Sequence, residues 1–163
     1  MTTIAIISDT HIPSRASRLP SWVVDEVSVA DLVVHAGDFD SKSAFERIED
    51  LAPELVAVRG NTDPDLGLPE VAQVDVDGFS FVVTHGTGSL GGYQNRVLQT
   101  VRANDPTAIG ISGHTHELND TRVGRTRLLN PGSATGASPA SEATMMQLEV
   151  SGSEYDVNML DEP

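Results

Sequence analysis

Apolar residues fall in short, dense clusters along the chain, and two periods organise them. Thr3–Ile7 is a nearly unbroken apolar run, the pattern of a strand buried on both faces. Leu32–Val34 and Leu55–Val58 repeat it. Between these runs lie segments of helical spacing. Ser21–Ala30 places apolar residues at Trp22, Val23, Val27 and Val29, and Ser41 stands as a cap before Ala44, Phe45, Ile48 and Leu51. The resulting strand–helix–strand rhythm predicts a parallel sheet, because parallel neighbours need a crossover and a helix supplies one.

The second half is richer in strands. Val71–Val76 and Phe79–Val83 flank Asp77-Gly78, a tight-turn dipeptide that predicts a hairpin. Gly92–Arg102, with Val97, Leu98 and Val101 on one face, reads as a helix, and Ala108–Ile111 as another buried strand. Two more hairpins are predicted, Glu117–Val123 with Thr126–Leu129 around Gly124, and Thr144–Val150 with Glu154–Leu160 around Ser151-Gly152. No repeat or linker interrupts the pattern, so residues 1–163 read as a single α/β domain with two sheets and helices packed outside them.

The polar residues are informative where they end these strands. Thr3–Ile7 runs into Ser8-Asp9-Thr10-His11, Leu32–Val34 into His35-Ala36-Gly37-Asp38, and Leu55–Val58 into Arg59-Gly60-Asn61-Thr62-Asp63. Phe79–Val83 is followed by Thr84-His85-Gly86, and Ala108–Ile111 by Ser112-Gly113-His114-Thr115-His116. Sites in open α/β sheets form beyond the carboxyl ends of strands, so five loops have one place to converge. Asp9 and His11, like His114 and His116, are two residues apart, which in an extended chain points both side chains the same way. Glycine before Asp38, Asn61 and His114 permits sharp turns and leaves room for a ligand. Imidazole with carboxylate suits Mn, Fe, Zn or Ni rather than Ca or Mg alone. Each motif alone is an ordinary turn or a hydrogen-bonded histidine; the ordered series, each member at the same end of its strand, is what carries the chemistry.

This series resembles the calcineurin-like metallophosphoesterase superfamily, and in length and detail its small prokaryotic phosphodiesterase branch, the YfcE type. The motifs run from Asp9 to His116, and Asn130-Pro131-Gly132-Ser133 is similar to a later segment of that branch. The resemblance implies a four-layer αββα sandwich, two mixed β-sheets flanked by helices, around a dinuclear metal centre. Carried over by motif, Asp9, His11 and His116 hold one metal, Asn61, His85 and His114 the other, and Asp38 bridges both. The implied cofactors are two divalent transition-metal ions, manganese first and Fe, Ni or Zn as alternatives. The implied reaction is phosphodiester hydrolysis by a metal-bridging hydroxide, with Asn61 also touching the phosphate. Two divalent ions against Asp9, Asp38 and one hydroxide leave a single positive charge, which a phosphodiester monoanion neutralises.

Many members of the wider superfamily carry a histidine after the Gly-Asn pair to protonate the leaving group. Here that position is Thr62; the small branch also lacks the histidine, and no acid is identified. Asp63 is the candidate for a catalytic role, against the plainer reading of a solvated turn carboxylate. His35 is read as a brace behind a ligand or a structural strand residue, and Arg15 and Arg18 as surface arginines or substrate-steering groups. The alternatives to a phosphodiesterase are a phosphomonoesterase or nucleotide hydrolase of the same fold, and a non-catalytic retromer-like scaffold; retention of all seven ligand positions argues against the scaffold.

Composition changes the picture in three ways. The chain has 24 acidic and 10 basic residues, a net charge of −14, and all but one of the cations, Lys42, are arginine. That charge opposes nucleic-acid binding and leaves a small phosphate ester as the expected partner; self-association is compatible with the sequence. No cysteine is present, which excludes disulfides and thiol chemistry. No apolar run approaches the roughly 20 residues of a membrane span, and the start, Met1-Thr2-Thr3-Ile4, lacks a basic leader, so the expected location is cytoplasmic. Excess carboxylate with almost no lysine reads as halophilic. Molar salt shortens the screening length to roughly 3 Å, from about 10 Å at 0.1 M, and relieves the mutual repulsion. The melting temperature is therefore expected to rise from dilute buffer to molar KCl; equal values would refute the halophilic reading.

Overall fold

The computed structural model describes all 163 residues. Two five-stranded sheets lie face to face. The first is built from β1 (Thr2–Ile7), β2 (Leu32–His35), β3 (Leu55–Ala57), β9 (Thr144–Ser151) and β10 (Glu154–Asp161), in the order β10-β9-β1-β2-β3. The second is built from β4 (Val71–Val76), β5 (Phe79–Thr84), β6 (Ile109–Ile111), β7 (Leu118–Val123) and β8 (Thr126–Pro131), in the order β4-β5-β6-β8-β7. Strands β1, β2 and β3 pair in parallel, as do β5, β6 and β8, while the three hairpins supply antiparallel neighbours. Both sheets are mixed.

The alternation along each strand explains the layers. Ile4 and Ile6 of β1 face the second sheet, where they join Val34, Phe81, Val83, Ile111, Leu129, Met146 and Leu148 in the central core. Ala5 and Ile7 face the other way, onto α1 (Ser21–Val29) and α2 (Lys42–Leu51), against Val23, Val27, Ala44 and Ile48. Val82 of β5 faces α3 (Tyr93–Asn104) and meets Val97, Leu98 and Val101. Strands that are apolar on both faces are thus sandwiched between a helix layer and a partner sheet, which gives the αββα order.

The predicted elements match the observed ones with small shifts. Val29 is the exception in α1: it is 75% exposed, so Val23 and Val27 anchor that helix. Ser41 caps α2 as expected, its hydroxyl accepting from the Ala44 N–H at 3.2 Å and donating to the Ile12 carbonyl at 2.8 Å. The loops after β1, β2 and β3 in the first sheet, and after β5 and β6 in the second, all open at the same end of the sandwich, across the seam between the sheets. No helix is long and apolar enough to cross a membrane.

Candidate metal centre

At that end, donor atoms crowd together in two groups, Asp9, His11, Asp38 and His116, and Asp38, His85 and His114. Within each group the atoms lie within 4.8 Å of one another, and Asp38 belongs to both. Asn61 adjoins the second group, its Oδ1 3.0 Å from His85 Nε2. Each group draws residues from both sheets.

The hydrogen bonds behind the histidines settle which nitrogen faces inward. His85 Nδ1 donates to the Ala36 carbonyl at 2.7 Å, His116 Nδ1 to the Ala137 carbonyl at 2.8 Å, and His114 Nε2 to the Gly88 carbonyl at 2.7 Å. His11 Nδ1 donates to the Asp40 carboxylate at 2.9 Å. With the outer nitrogen donating, each inner nitrogen of a neutral ring presents a lone pair. These lone pairs face further acceptors: His11 Nε2 lies 3.1 Å from His116 Nε2, and His85 Nε2 lies 3.3 Å from His114 Nδ1. Asp38 Oδ2 stands 3.3 Å from His11 Nε2 and 3.2 Å from His85 Nε2. Acceptors facing acceptors need a positive charge between them, either protons or metal ions.

The carboxylates point the same way. Asp9 Oδ2 accepts from the Ser8 hydroxyl at 2.6 Å and the His114 N–H at 3.0 Å, while Oδ1 is buried with no hydrogen-bond partner, 3.3 Å from His116 Nε2. Asp38 Oδ1 accepts from the Thr62 N–H at 3.0 Å, leaving Oδ2 at the shared position. An orphaned buried carboxylate oxygen beside inward imidazole lone pairs fits a divalent cation.

The backbone that aims these side chains is not extended. Asp9, His11, Asp38, His114 and His116 have φ of 53°, 45°, 67°, 73° and 61°, and Asp40 has 80°. The expectation that i and i+2 align through an extended chain is corrected: with left-handed backbone at all four, Asp9 and His11 join one group, while His114 and His116 divide between the two. That conformation costs on the order of 1–2 kcal/mol per residue and persists where surrounding bonds over-determine it. Two glycines make the crowding feasible. A Cβ at Gly60 would stand 2.1 Å from Asp38 Oδ1, and one at Gly113 would stand 2.1 Å from Ser8 Oγ. Their role is to admit neighbouring site residues.

Asp63 differs from the solvated turn carboxylate of the plainer reading. It is buried, and its two oxygens accept from four backbone N–H groups: Phe39 at 2.7 Å, Gly60 at 2.8 Å, and Asp38 and Asp40 at 3.0 Å each. It ties the loop after β3 to the loop after β2. Thr62 donates its hydroxyl to Asp40, which in turn holds His11. His35 is fully buried, accepting from the Gly37 N–H at 3.0 Å, lying 3.2 Å from the Thr10 hydroxyl and stacking on Phe39. Burial pushes its pKa down to about 3, so it stays neutral and braces the loop. Arg15 donates to the Ser138 carbonyl at 2.9 Å, next to the Ala137 carbonyl that anchors His116.

Sequence reasoning passed over Asp40, although Asp38-Phe39-Asp40 repeats the two-residue spacing it weighed elsewhere. It also passed over Tyr93, and it met Asn130 only as part of the Asn130-Pro131-Gly132-Ser133 segment, with no role assigned. Tyr93 donates its hydroxyl within the Ser112–Gly113 turn, and Asn130 Nδ2 donates to the Gly113 carbonyl at 3.0 Å and the Thr115 hydroxyl at 3.0 Å. Together they brace the His114–His116 loop from behind.

The chain matches the calcineurin-like phosphoesterase superfamily domain over residues 2–153 and belongs to that superfamily. A probable metallophosphoesterase of Methanothermobacter thermautotrophicus is 33% identical over 159 residues, covering 96% of this chain and 91% of the relative. A probable metallophosphoesterase of Methanocaldococcus jannaschii is 38% identical over 134 residues, 81% of this chain and 68% of that one. Among solved structures, Vps29 of Entamoeba histolytica, crystallised with Zn²⁺, superimposes with a TM-score of 0.80 at 28% identity over 98% of each chain. Family and donor set together point to divalent-metal binding.

Three predictions rest on this geometry. Burial opposes the charged form of His11, but hydrogen bonds to Asp38 and Asp9 and the charges of Asp38 and Asp40 outweigh it, pushing the pKa from 6.5 up to about 10. His85 is raised for the same reasons against strong burial, and Asp9 and Asp38 are held below the usual carboxylate range by the imidazoles despite burial. The His11 contribution to metal-free stability is therefore full below pH 6.5 and lost as pH rises through 10. The Asp9 and Asp38 contributions hold above the ordinary carboxylate range and fade only in strong acid. Chelator-treated protein should melt at falling temperatures from pH 6.5 to 9. Calorimetric titration with Mn²⁺ at pH 8, in two buffers of different ionisation enthalpy, should show proton release; none would contradict the assignment. Separately, Asp63→Asn is expected to cost about 2–3 kcal/mol in denaturant melts and to weaken metal affinity on the order of 10–100-fold. A neutral effect on both would return Asp63 to an ordinary turn.

Proposed function

We propose that the protein is a metal-dependent phosphodiesterase working at a dinuclear centre. Asp9, His11 and His116 would hold one ion and Asn61, His85 and His114 the other, with Asp38 available to both. The observation that carries this reading is the set of four histidines, each anchored through its outer nitrogen, whose inner lone pairs converge on Asp38 Oδ2 and the unpartnered Asp9 Oδ1. The mixed imidazole and carboxylate donors suit manganese, with iron, nickel or zinc as competitors. Two such ions supply Lewis acidity, which acidifies water and neutralises charge on a phosphoryl group.

The chain's own residues do the positioning. Asp40 fixes the orientation of His11, and Ser8 with the His114 N–H fixes Asp9. Asn61 is exposed and turns Oδ1 toward His85, which leaves its amide N–H₂ to donate to a phosphoryl oxygen. Neither Asp63, the sequence candidate for a catalytic role, nor Thr62, at the position of the missing histidine, is placed to protonate a leaving group. The Thr62 hydroxyl donates to Asp40, and Asp63 has both oxygens occupied by backbone N–H groups. Asp63 is therefore a positioning residue in this proposal. A phosphate ester with an activated leaving group needs no such acid.

A scaffold function is the second reading, favoured by the likeness to Vps29. The complete and pre-oriented donor set argues for catalysis, and one experiment separates the two. Protein loaded with Mn²⁺ is expected to carry two metals per chain and to hydrolyse bis-p-nitrophenyl phosphate. Asp38→Ala should lose both metal occupancy and at least about a hundredfold in kcat/KM. Across a series of diesters, rate should fall steeply as leaving-group pKa rises. Turnover that survives Asp38→Ala would overturn the site, and a flat leaving-group dependence would reveal an acid elsewhere.

A further inference from the structure

A cavity of about 430 Å³ opens directly beside the proposed second metal position, sharing Asn61 and His85 with it. Its size is that of a small-ligand pocket, roughly 300–1,000 Å³. Its walls are polar, with Val71 and Val97 the only apolar members, so it offers little to an alkyl or aryl group. Arg59 and Arg96 line it, against a single carboxylate, Glu70. Over the whole chain carboxylates outnumber cations 24 to 10, so a cavity in which the cations prevail runs against the composition.

The two arginines are available in different ways. Arg59 directly precedes Gly60-Asn61; its backbone N–H donates to the Pro69 carbonyl at 2.8 Å, and its exposed side chain has no carboxylate partner. Arg96 is half-buried on α3. Its Nη2 donates to the Gly86 and Ser89 carbonyls at 3.0 and 2.8 Å and its Nε is buried, while its Nη1 is neither buried nor hydrogen-bonded. An unpartnered guanidinium nitrogen in a net-positive cavity is a place for an oxyanion.

Resting on the phosphoesterase reading, we propose that the Arg59–Arg96 cavity is a subsite for a second phosphate on the substrate. The natural substrate is then a phosphate ester whose organic part is small, polar and itself phosphorylated. The metal centre takes the phosphate to be cleaved, and Arg59 and Arg96 take the distal one. Glu70 leaves the cavity with one net positive charge, which favours a phosphate group over a neutral hydroxyl.

Two chromogenic diesters that differ only in the distal group test this: thymidine 5′-(p-nitrophenyl phosphate) and its 3′-phosphorylated form. With the Mn²⁺-loaded protein at low salt, the 3′-phosphorylated substrate should have a kcat/KM about tenfold higher. That ratio should collapse toward one in Arg59→Gln and in Arg96→Gln, and stay intact in Arg122→Gln on the distant β7–β8 hairpin. Arg59→Gln keeps the test open should Arg96→Gln disturb its loop. Turnover of both substrates at equal kcat/KM in the wild-type protein would overturn the subsite and leave the phosphodiesterase reading standing. Turnover of neither would overturn that reading, and calorimetry of the loaded protein with thymidine 3′,5′-bisphosphate against thymidine 5′-monophosphate then decides the subsite. Tighter binding of the bisphosphate that Arg59→Gln removes supports it; equal binding overturns it.

Discussion

The structure is organised around a repulsion. Four imidazole lone pairs and two carboxylates are brought within a few ångströms of one another, an arrangement that no chain adopts without compensation. Protons supply that compensation in the metal-free state, which is why His11 and His85 hold theirs so tightly. A divalent cation supplies it when bound. The rest of the fold holds the donors in place. Apolar strands fix the loop bases, carbonyl and carboxylate acceptors fix each ring, and Asp63 clamps two loops by four backbone N–H groups.

This explains where backbone strain is concentrated. Of the seven non-glycine residues with positive φ, only Asp77 lies away from the cluster, at a hairpin turn. The others carry donor groups or, for Asp40, the carboxylate that orients one. Strain at these points is tolerated because each loop is held on both sides: Ser133 donates to the Asp9 carbonyl at 2.7 Å, and the Asp9 N–H donates to the Gly37 carbonyl at 2.9 Å. The conformational cost is distributed over the core beneath.

Much of the architecture was legible in the sequence because apolar runs bounded by turn dipeptides leave few alternatives. The three hairpins came from Asp77-Gly78, Gly124 and Ser151-Gly152, and the parallel core from strands apolar on both faces. The site residues were legible because they sit at strand ends, a position defined by the elements themselves. What could not be read depends on contacts between distant loops. Nothing in Asn61-Thr62-Asp63 announces that Asp63 turns inward to collect N–H groups from residues 38–40, or that Thr62 reaches Asp40. The left-handed backbone at Asp9 and His11 was misjudged as extended for the same reason. It is imposed by the neighbouring β2 loop, which sequence spacing does not see. Arg96 was hidden inside a helix, where an arginine reads as surface.

The division of donors between the two sheets has a wider meaning. Asp9, His11, Asp38 and Asn61 follow strands of one sheet, while His85, His114 and His116 follow strands of the other, and His85 is anchored by the Ala36 carbonyl across the seam. Neither half of the sandwich owns a complete coordination sphere. Cation affinity therefore acts as a rivet through the whole molecule. On the proposed ligand assignment, parting the sheets takes His116 from one position and separates Asp38 and Asn61 from His85 and His114 at the other, so a bound cation would resist that opening.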